Sequence, residues 1–284
     1  MTDAQTITTA TVGDGDDLIT YDVRGDLSSG TPLFLFGSPM EASYFAALAA
    51  FFADRPVVTY DPRGAARNPV GTAPITVEQH ADDLHRVISA LAVGPVDCFG
   101  TSGGGVNLLR LAELHPDDVR WVVSHEAPTY FALPDRELAA AALAEMKATY
   151  ESLGSGPAMA RFINLVMHDG EITQAFLDQP PPPPEQFGMT SDDDGSRTDP
   201  LMRNMPACNE YTPDVEALRA LGDRLVIAVG ADSGEGFAAR GARSVAAAVG
   251  IDLTVIPSHH GGFVPDQPGS DVEGIAAALR RAIS

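Results

Sequence analysis

The strongest constraint on the fold is a regular alternation of short apolar runs with helix-like segments along the 284 residues. The runs TPLFLF at 31–36 and VRWVVSH at 119–125 are continuous enough to predict buried strands. The segment at 76–91 spaces its apolar residues three and four apart and predicts an amphipathic helix. Because parallel strands need crossover connections, the alternation predicts an α/β fold, a mostly parallel twisted sheet of about eight strands with helices on both faces.

Two segments depart from this alternation. Residues 7–23 alternate apolar and polar positions around GDGDD, which predicts a β-hairpin at the edge of the sheet. Residues 129–212 contain helical stretches, five consecutive prolines and a polar run, but no strand-like run. We therefore predict a core domain formed by residues 1–128 and 213–284, with residues 129–212 inserted as a helical cap.

The charge balance limits the class of partner. Acidic residues number 39 against 18 basic ones, a net charge of −21 that repels phosphate backbones and anionic lipid surfaces. We expect a small-molecule substrate, no nucleic acid and no membrane partner, and the sequence leaves open a homodimer. The two cysteines have neither disulfide-framework nor zinc-ligand spacing, and no metal or organic cofactor is implied. The N-terminal stretch MTDAQTITTA lacks a basic start and an apolar core, so a cytoplasmic location is predicted.

The stretch CFGTSGGG at 98–105 lies between a predicted strand and a predicted helix and contains the pattern G-x-S-x-G. In that context the serine occupies a sharp, strained turn, where side chains at Gly100 or Gly104 would collide with neighbouring backbone. Ser102 is then the predicted nucleophile, and the N–H of Gly103 at the start of the helix is a predicted oxyanion donor. The alternative is a tight glycine turn without chemistry.

A serine hydroxyl needs a base to remove its proton, so a histidine and an orienting carboxylate are expected later in the chain. Of seven histidines, His259 and His260 follow the last predicted strand in the loop SHHGGF. We predict His260 as the base because it directly precedes two glycines, and His259 remains the alternative.

The carboxylate is predicted to be Asp232, which directly follows the strand VIAVG at the carboxyl edge of the sheet. The alternative role for Asp232 is an N-cap of the next helix. Glu126, in SHEAP after the strand at 119–125, is the second candidate.

These motifs give the chain a resemblance to the α/β-hydrolase fold superfamily over nearly its full length. Ser102, Asp232 and His260 follow that family's order of nucleophile, acid and base. The stretch YDPRGAARN at 60–68 resembles the family's exit loop after the fourth strand, with Ala66 and Asn68 in place of its last glycine and serine. GSPMEASYF, HEAP and SHHGGF together resemble a bacterial subgroup of small, esterase-like serine hydrolases.

The resemblance also implies a second oxyanion donor. In the family a His-Gly segment after the third strand supplies it, and the matching segment is Phe36-Gly37-Ser38-Pro39. The donor would be the backbone N–H of Ser38, with Phe36 standing where the family has its histidine.

The predicted cap contains six of the eight methionines and several aromatic residues, which pack adaptably and favour an apolar pocket. The predicted pocket lining is Phe36, Met40, Tyr130 and Phe131. The alternative is that such residues only seat the cap on the core.

Together these residues predict a serine hydrolase that cleaves an ester, lactone or thioester of a fairly apolar small molecule through an acyl-enzyme. The same residues could serve a carbon–carbon bond hydrolase or a cofactor-free biosynthetic enzyme. A third alternative is a ligand-binding homologue without catalysis.

Overall fold

A computed structural model describes residues 6–284, and its centre is a single sheet of eight strands. The first five residues lie outside the described part. They are half of the N-terminal stretch MTDAQTITTA from which the cytoplasmic location is predicted. The strands are β1 (Ile7–Val12), β2 (Ile19–Arg24), β3 (Leu33–Ser38), β4 (Val57–Tyr60), β5 (Val96–Ser102), β6 (Val119–His125), β7 (Leu225–Gly230) and β8 (Thr254–Ile256).

The sheet order is β1-β2-β4-β3-β5-β6-β7-β8. β1 pairs antiparallel with β2, and β2 pairs antiparallel with β4, whereas all pairs from β4 to β8 are parallel. The mostly parallel sheet and the edge hairpin predicted from the sequence are therefore confirmed. Parallel pairing brings the carboxyl ends of β3, β5, β6, β7 and β8 to one edge, where loops can converge on a ligand.

Ten α-helices connect and extend the strands within residues 6–284. They are α1 (Ala46–Ala50), α2 (Val77–Leu91), α3 (Gly103–Leu114), α4 (Arg136–Leu153), α5 (Ser155–Met167), α6 (Gln174–Leu177), α7 (Pro200–Glu210), α8 (Val215–Arg219), α9 (Phe237–Val249) and α10 (Val272–Ala282). α2 begins where the sequence predicts it because Thr76 and Gln79 form a capping box, each side chain bonding the other's backbone N–H. None of the helices among these residues is both long and apolar enough to span a bilayer.

Alternate residues of the strands pack into two cores on opposite faces of the sheet. On β3, Phe34 and Phe36 join the cluster under α2, α3 and α9, while Leu33 and Leu35 join the cluster under α1 and α10. Both faces are covered, which explains why β3 is a continuous apolar run rather than an alternating one.

The chain between β6 and β7 is helical in the structure, with α4 to α7 and an apolar cluster of its own. This insertion is tied to α9 by a buried ion pair between Asp135 and Arg240. Arg240 also donates to the carbonyl of Gly170 over 2.8 Å, and the N–H of Ile172 donates to Asp135 over 2.5 Å. These bonds satisfy two buried charges and hold the insertion in a fixed position on the sheet domain.

Candidate active site

Ser102 ends β5 and precedes α3, in the sharp strand-to-helix turn that its sequence context predicts. Its backbone has φ 57° and ψ −132°, a conformation that is costly for a residue with a side chain. Although Ser102 stands at the N-cap position, its side chain makes no capping hydrogen bond. The hydroxyl is therefore left available above the carboxyl edge of the sheet.

The glycines of the turn are required by close backbone approach. A Cβ on Gly100 would lie 2.4 Å from the carbonyl oxygen of Gly104. A Cβ on Gly104 would lie 2.7 Å from Cα of Gly37 on the neighbouring strand. Neither backbone atom can move aside as a flexible side chain could, so the spacing of the motif follows from steric fit.

His260 lies in the loop after β8, and its Nδ1 is 2.6 Å from Oε2 of Glu126. Glu126 directly follows β6, is 1% exposed and accepts a second hydrogen bond, over 2.8 Å, from the N–H of Gly230. Burial by itself raises the pKa of Glu126, but the hydrogen bond from His260 and the nearby imidazoles outweigh burial and lower the pKa to about 2. Glu126 is thus an ionised carboxylate that orients His260.

The structure corrects the predicted acid, because it pairs His260 with Glu126 and not with Asp232. Asp232 is exposed, and its backbone N–H donates to the carbonyl of Ser258 over 2.8 Å. Its carboxylate has no hydrogen-bond or ion-pair partner among residues 6–284. Since the single proton on Nδ1 of His260 is already directed at Glu126, no donor is left there for Asp232. Asp232 does line the cavity described below.

His259, the alternative base, is engaged elsewhere. Its Nε2 lies 2.9 Å from the carbonyl of Pro268, and its Nδ1 accepts from the N–H of Gly261 over 3.2 Å. Both ring nitrogens are therefore used within the loop, whereas His260 uses only Nδ1 and keeps Nε2 for another partner. This geometry favours His260, as the sequence predicts.

The two predicted oxyanion residues are neighbours in the structure. Ser38 ends β3 and pairs in register with Ser102 on β5. A Cβ on Gly103 would lie 2.7 Å from the carbonyl oxygen of Ser38, so the two backbones are in close contact. Gly103 opens α3, whose N-terminus carries the positive end of the helix dipole and favours a developing negative charge.

A cavity of about 460 Å³ contains Ser102, His260, Glu126, Ser38 and Gly103 in its wall. Its other walls are mainly apolar and come from the insertion and the start of α9. They include Leu143, Phe162, Leu165, Val166, Leu201, Met205 and Phe237.

None of the four predicted pocket residues lines this cavity. Phe36 is fully buried in the sheet core against Phe34 and Tyr60, because β3 directs it under α2 and α3. Met40 packs against the opposite core, and Tyr130 packs into the apolar cluster of the insertion. Phe131, also predicted for the pocket, lies half-buried outside the lining. In the sequence, the signal that could have indicated the actual lining is the apolar face of each of α4, α5 and α7.

Cys208 lines the cavity but has no nucleophilic character. It is 1% exposed, and burial raises the pKa of its thiol to about 12. Its Sγ lies 3.8 Å from the carbonyl of Gly103 and 3.8 Å from Oδ1 of Asn107. The thiol therefore packs beside the nucleophile turn as a protonated, structural group.

One cluster among residues 6–284 has metal-ligand side chains within reach of one another, His85, His115 and Asp118. The two imidazoles are stacked at 4.0 Å with an interplanar angle of 11°. Lone pairs of parallel rings do not converge on one point, and Nδ1 of His85 is already bonded to Asp118 over 2.6 Å. Asp118 precedes β6, so the cluster lies at the edge of the sheet opposite Ser102.

The fold and this site define a class of proteins with an α/β sheet, a serine on a strained elbow and a histidine–carboxylate pair at the same edge. A family model for the alpha/beta hydrolase fold matches residues 14–188, more than half of the chain. The protein belongs to the α/β hydrolase fold family.

Individual relatives are more distant. The uncharacterized hydrolase YraK of Bacillus subtilis is 36% identical over 111 residues, which cover 38% of this chain and 40% of that protein. A hydrolase from Pseudomonas aeruginosa has a similar structure, with a TM-score of 0.68 and 18% identity over 97% of this chain and 98% of the other. A thermophilic esterase from Thermogutta terrifontis superposes with a TM-score of 0.63 and 19% identity, over 98% of this chain and 100% of the other. The structural similarities establish the fold.

Proposed function

We propose that this protein is a serine hydrolase that cleaves an ester, lactone or thioester of a fairly apolar small molecule. Ser102 attacks the carbonyl carbon while His260 accepts the hydroxyl proton. His260 then returns the proton to the leaving group, and water admitted to the acyl-enzyme completes the reaction with the same base. Glu126 holds His260 in the tautomer with its proton on Nδ1 and stabilises the imidazolium that forms.

The observation that carries the proposal is the 2.6 Å contact between His260 and Glu126 in the wall of the cavity that also contains the strained Ser102. When a free serine hydroxyl shares the same cavity, a half-exposed histidine can act as its base, and a buried carboxylate bonded to that histidine can orient it. The N–H groups of Gly103 and Ser38 would hold the oxyanion of the tetrahedral intermediate.

The substrate class follows from the walls of the cavity. Residues 129–212 would serve as the cap of the core domain, since α4, α5 and α7 supply most of the apolar lining. Such walls bind hydrocarbon groups well and strongly charged groups poorly. Similarity to YraK and to the Thermogutta esterase is consistent with hydrolysis. A cytoplasmic location, a homodimer and the absence of a cofactor remain predictions from the sequence.

The proposal is tested by intact mass after exposure to a fluorophosphonate, a reagent that reacts preferentially with an activated serine. We expect one adduct on the wild-type protein and none on Ser102→Ala, with His260→Ala labelled at least about 100-fold more slowly. An adduct retained by folded Ser102→Ala would refute the role of Ser102. An unlabelled wild-type protein that binds apolar esters without cleaving them would favour the ligand-binding alternative. Product analysis with esters, lactones and diketones then separates ester cleavage from carbon–carbon cleavage.

A further inference from the structure

Beside Glu126 lies a second histidine that the proposed reaction does not use. His125 is the last residue of β6 and is fully buried. Its Nε2 is 3.7 Å from Oε1 of Glu126. The carboxylate of Glu126 thus faces two neighbouring imidazoles, with Oε2 near His260 and Oε1 near His125.

The other ring nitrogen of His125 is held by the strand that carries the nucleophile. Nδ1 of His125 lies 2.9 Å from Oγ1 of Thr101, and these two residues are register partners across β5 and β6. If the Thr101 hydroxyl donates to Nδ1, the ring proton is on Nε2 and points toward the carboxylate. The opposite tautomer would direct a lone pair at a negative charge, so the carboxylate itself selects the first arrangement.

The environment keeps this imidazole neutral. Burial lowers the pKa of His125 to about 4, against the opposing charge of Glu126 and with the help of His260, whose ring is 6.1 Å away. Nε2 has no hydrogen-bond partner within residues 6–284, and the charged atom it faces is Oε1 of Glu126, 3.7 Å away. The titratable groups that face His125 are Glu126 and His260.

We propose that His125 is a positioning residue for catalysis, which acts through Glu126 and rests on the proposed serine hydrolase function. The N–H dipole of His125 stabilises the negative charge of Glu126, the charge that orients His260. The link from Thr101 through His125 to Glu126 also fixes the acid relative to Ser102, because Thr101 is its neighbour on β5. Without the N–H group, the carboxylate is held less firmly against His260, and the reaction slows.

Two matched substitutions separate this role from simple packing. His125→Asn keeps an amide near Nδ1, facing Thr101, but places nothing near Nε2. His125→Gln extends an amide N–H to about the position of Nε2. His80→Asn is the control, since His80 is also fully buried and its pKa is also lowered to about 4 by burial, but its Nε2 contacts Asn204, 2.5 Å away.

The measurement is the second-order rate of fluorophosphonate labelling at pH 7, with stability measured by urea unfolding. For His125→Asn we expect about a tenfold slower reaction. His125→Gln restores the N–H and should stay within about threefold of the wild-type rate. His80→Asn should lose stability while its labelling rate stays within about twofold of the wild-type rate.

Three outcomes would overturn the inference. One is a folded His125→Asn that is labelled as fast as the wild-type protein. Another is a His125→Gln that is slowed as much as His125→Asn, since restoring the N–H would then have no effect. The third is an equal loss of rate in His80→Asn, which would mark a general effect of buried-histidine loss. A His260→Ala variant that is labelled as fast as the wild-type protein is a different result from all three, because it would refute the proposed function itself.

Discussion

Replacing Glu126 with glutamine removes the negative charge behind His260 and leaves a side chain of nearly the same size. The charge centres of a carboxylate and an imidazolium in the 2.6 Å contact are about 4 Å apart. At an effective dielectric constant of about 20, their attraction is about 4 kcal/mol. Since about 1.4 kcal/mol corresponds to a tenfold change, losing this stabilisation in the transition state should slow the reaction by about 10²- to 10³-fold.

Asp232→Asn is the matched control, because it removes the same charge from the residue that the sequence predicts as the catalytic acid. The Asp232 side chain is exposed and does not contact His260, so screening by water should keep its effect within about threefold. The assay is the rate of fluorophosphonate labelling at pH 8, followed by hydrolysis of 4-nitrophenyl butyrate. A 100-fold loss in Asp232→Asn, together with a near-normal Glu126→Gln, would refute the assignment of Glu126.

Three further predictions concern the turn, the cavity and the pH dependence of stability. Gly104→Ala should lower the free energy of unfolding by about 2–4 kcal/mol in urea, because its Cβ would meet fixed backbone; a loss below about 0.5 kcal/mol would contradict this fit. Phe162→Ala should shift kcat/KM about tenfold toward longer acyl chains, whereas Phe131→Ala, outside the cavity lining, should leave the ratio within about twofold; equal effects would place the cavity elsewhere. The pKa values of His80 and His125 are lowered by burial to about 4 from 6.5, so below pH 6.5 the unfolded state binds more protons than the folded state. Stability should then fall as the pH drops from about 6.5 to about 4, by about 1.4 kcal/mol per histidine for each pH unit, and His80→Gln should flatten the slope measured in urea at pH 7, 6 and 5. An unchanged slope in His80→Gln would contradict the assignment to His80.

Local patterns predict those parts of the molecule that local chemistry determines. The capping box at Thr76 and the apolar spacing define α2, and the glycines around Ser102 define the elbow. The acid could not be chosen in this way, because Asp232 and Glu126 both follow strands that end at the same edge of the sheet. Only the three-dimensional path of the last loop decides which carboxylate meets His260.

The pocket residues could not be predicted for a similar reason, because the sequence does not show in which direction each side chain points. The position of Phe36 just before the oxyanion segment makes it look accessible, but the pleat of β3 directs its ring into the core. Phe162 lines the cavity because one face of α5 packs toward the sheet domain. Helical periodicity identifies an apolar face, but it does not say whether that face covers a core or a cavity.

The placement of Glu126 directly after β6 separates two tasks, orienting the base and lining the cavity, that the sequence analysis assigns to the turn after β7. In the proposed reaction the acid follows β6, so Asp232 after β7 has no share in proton transfer and its side chain forms part of the cavity wall. Substitutions of Asp232 can therefore change the cavity wall, and with it the substrates that bind, while the reacting groups stay intact. For enzyme engineering, Asp232 is therefore the first position to randomise, and the stretch from Thr101 to Ser102, together with His125 and Glu126, is the part to leave unchanged.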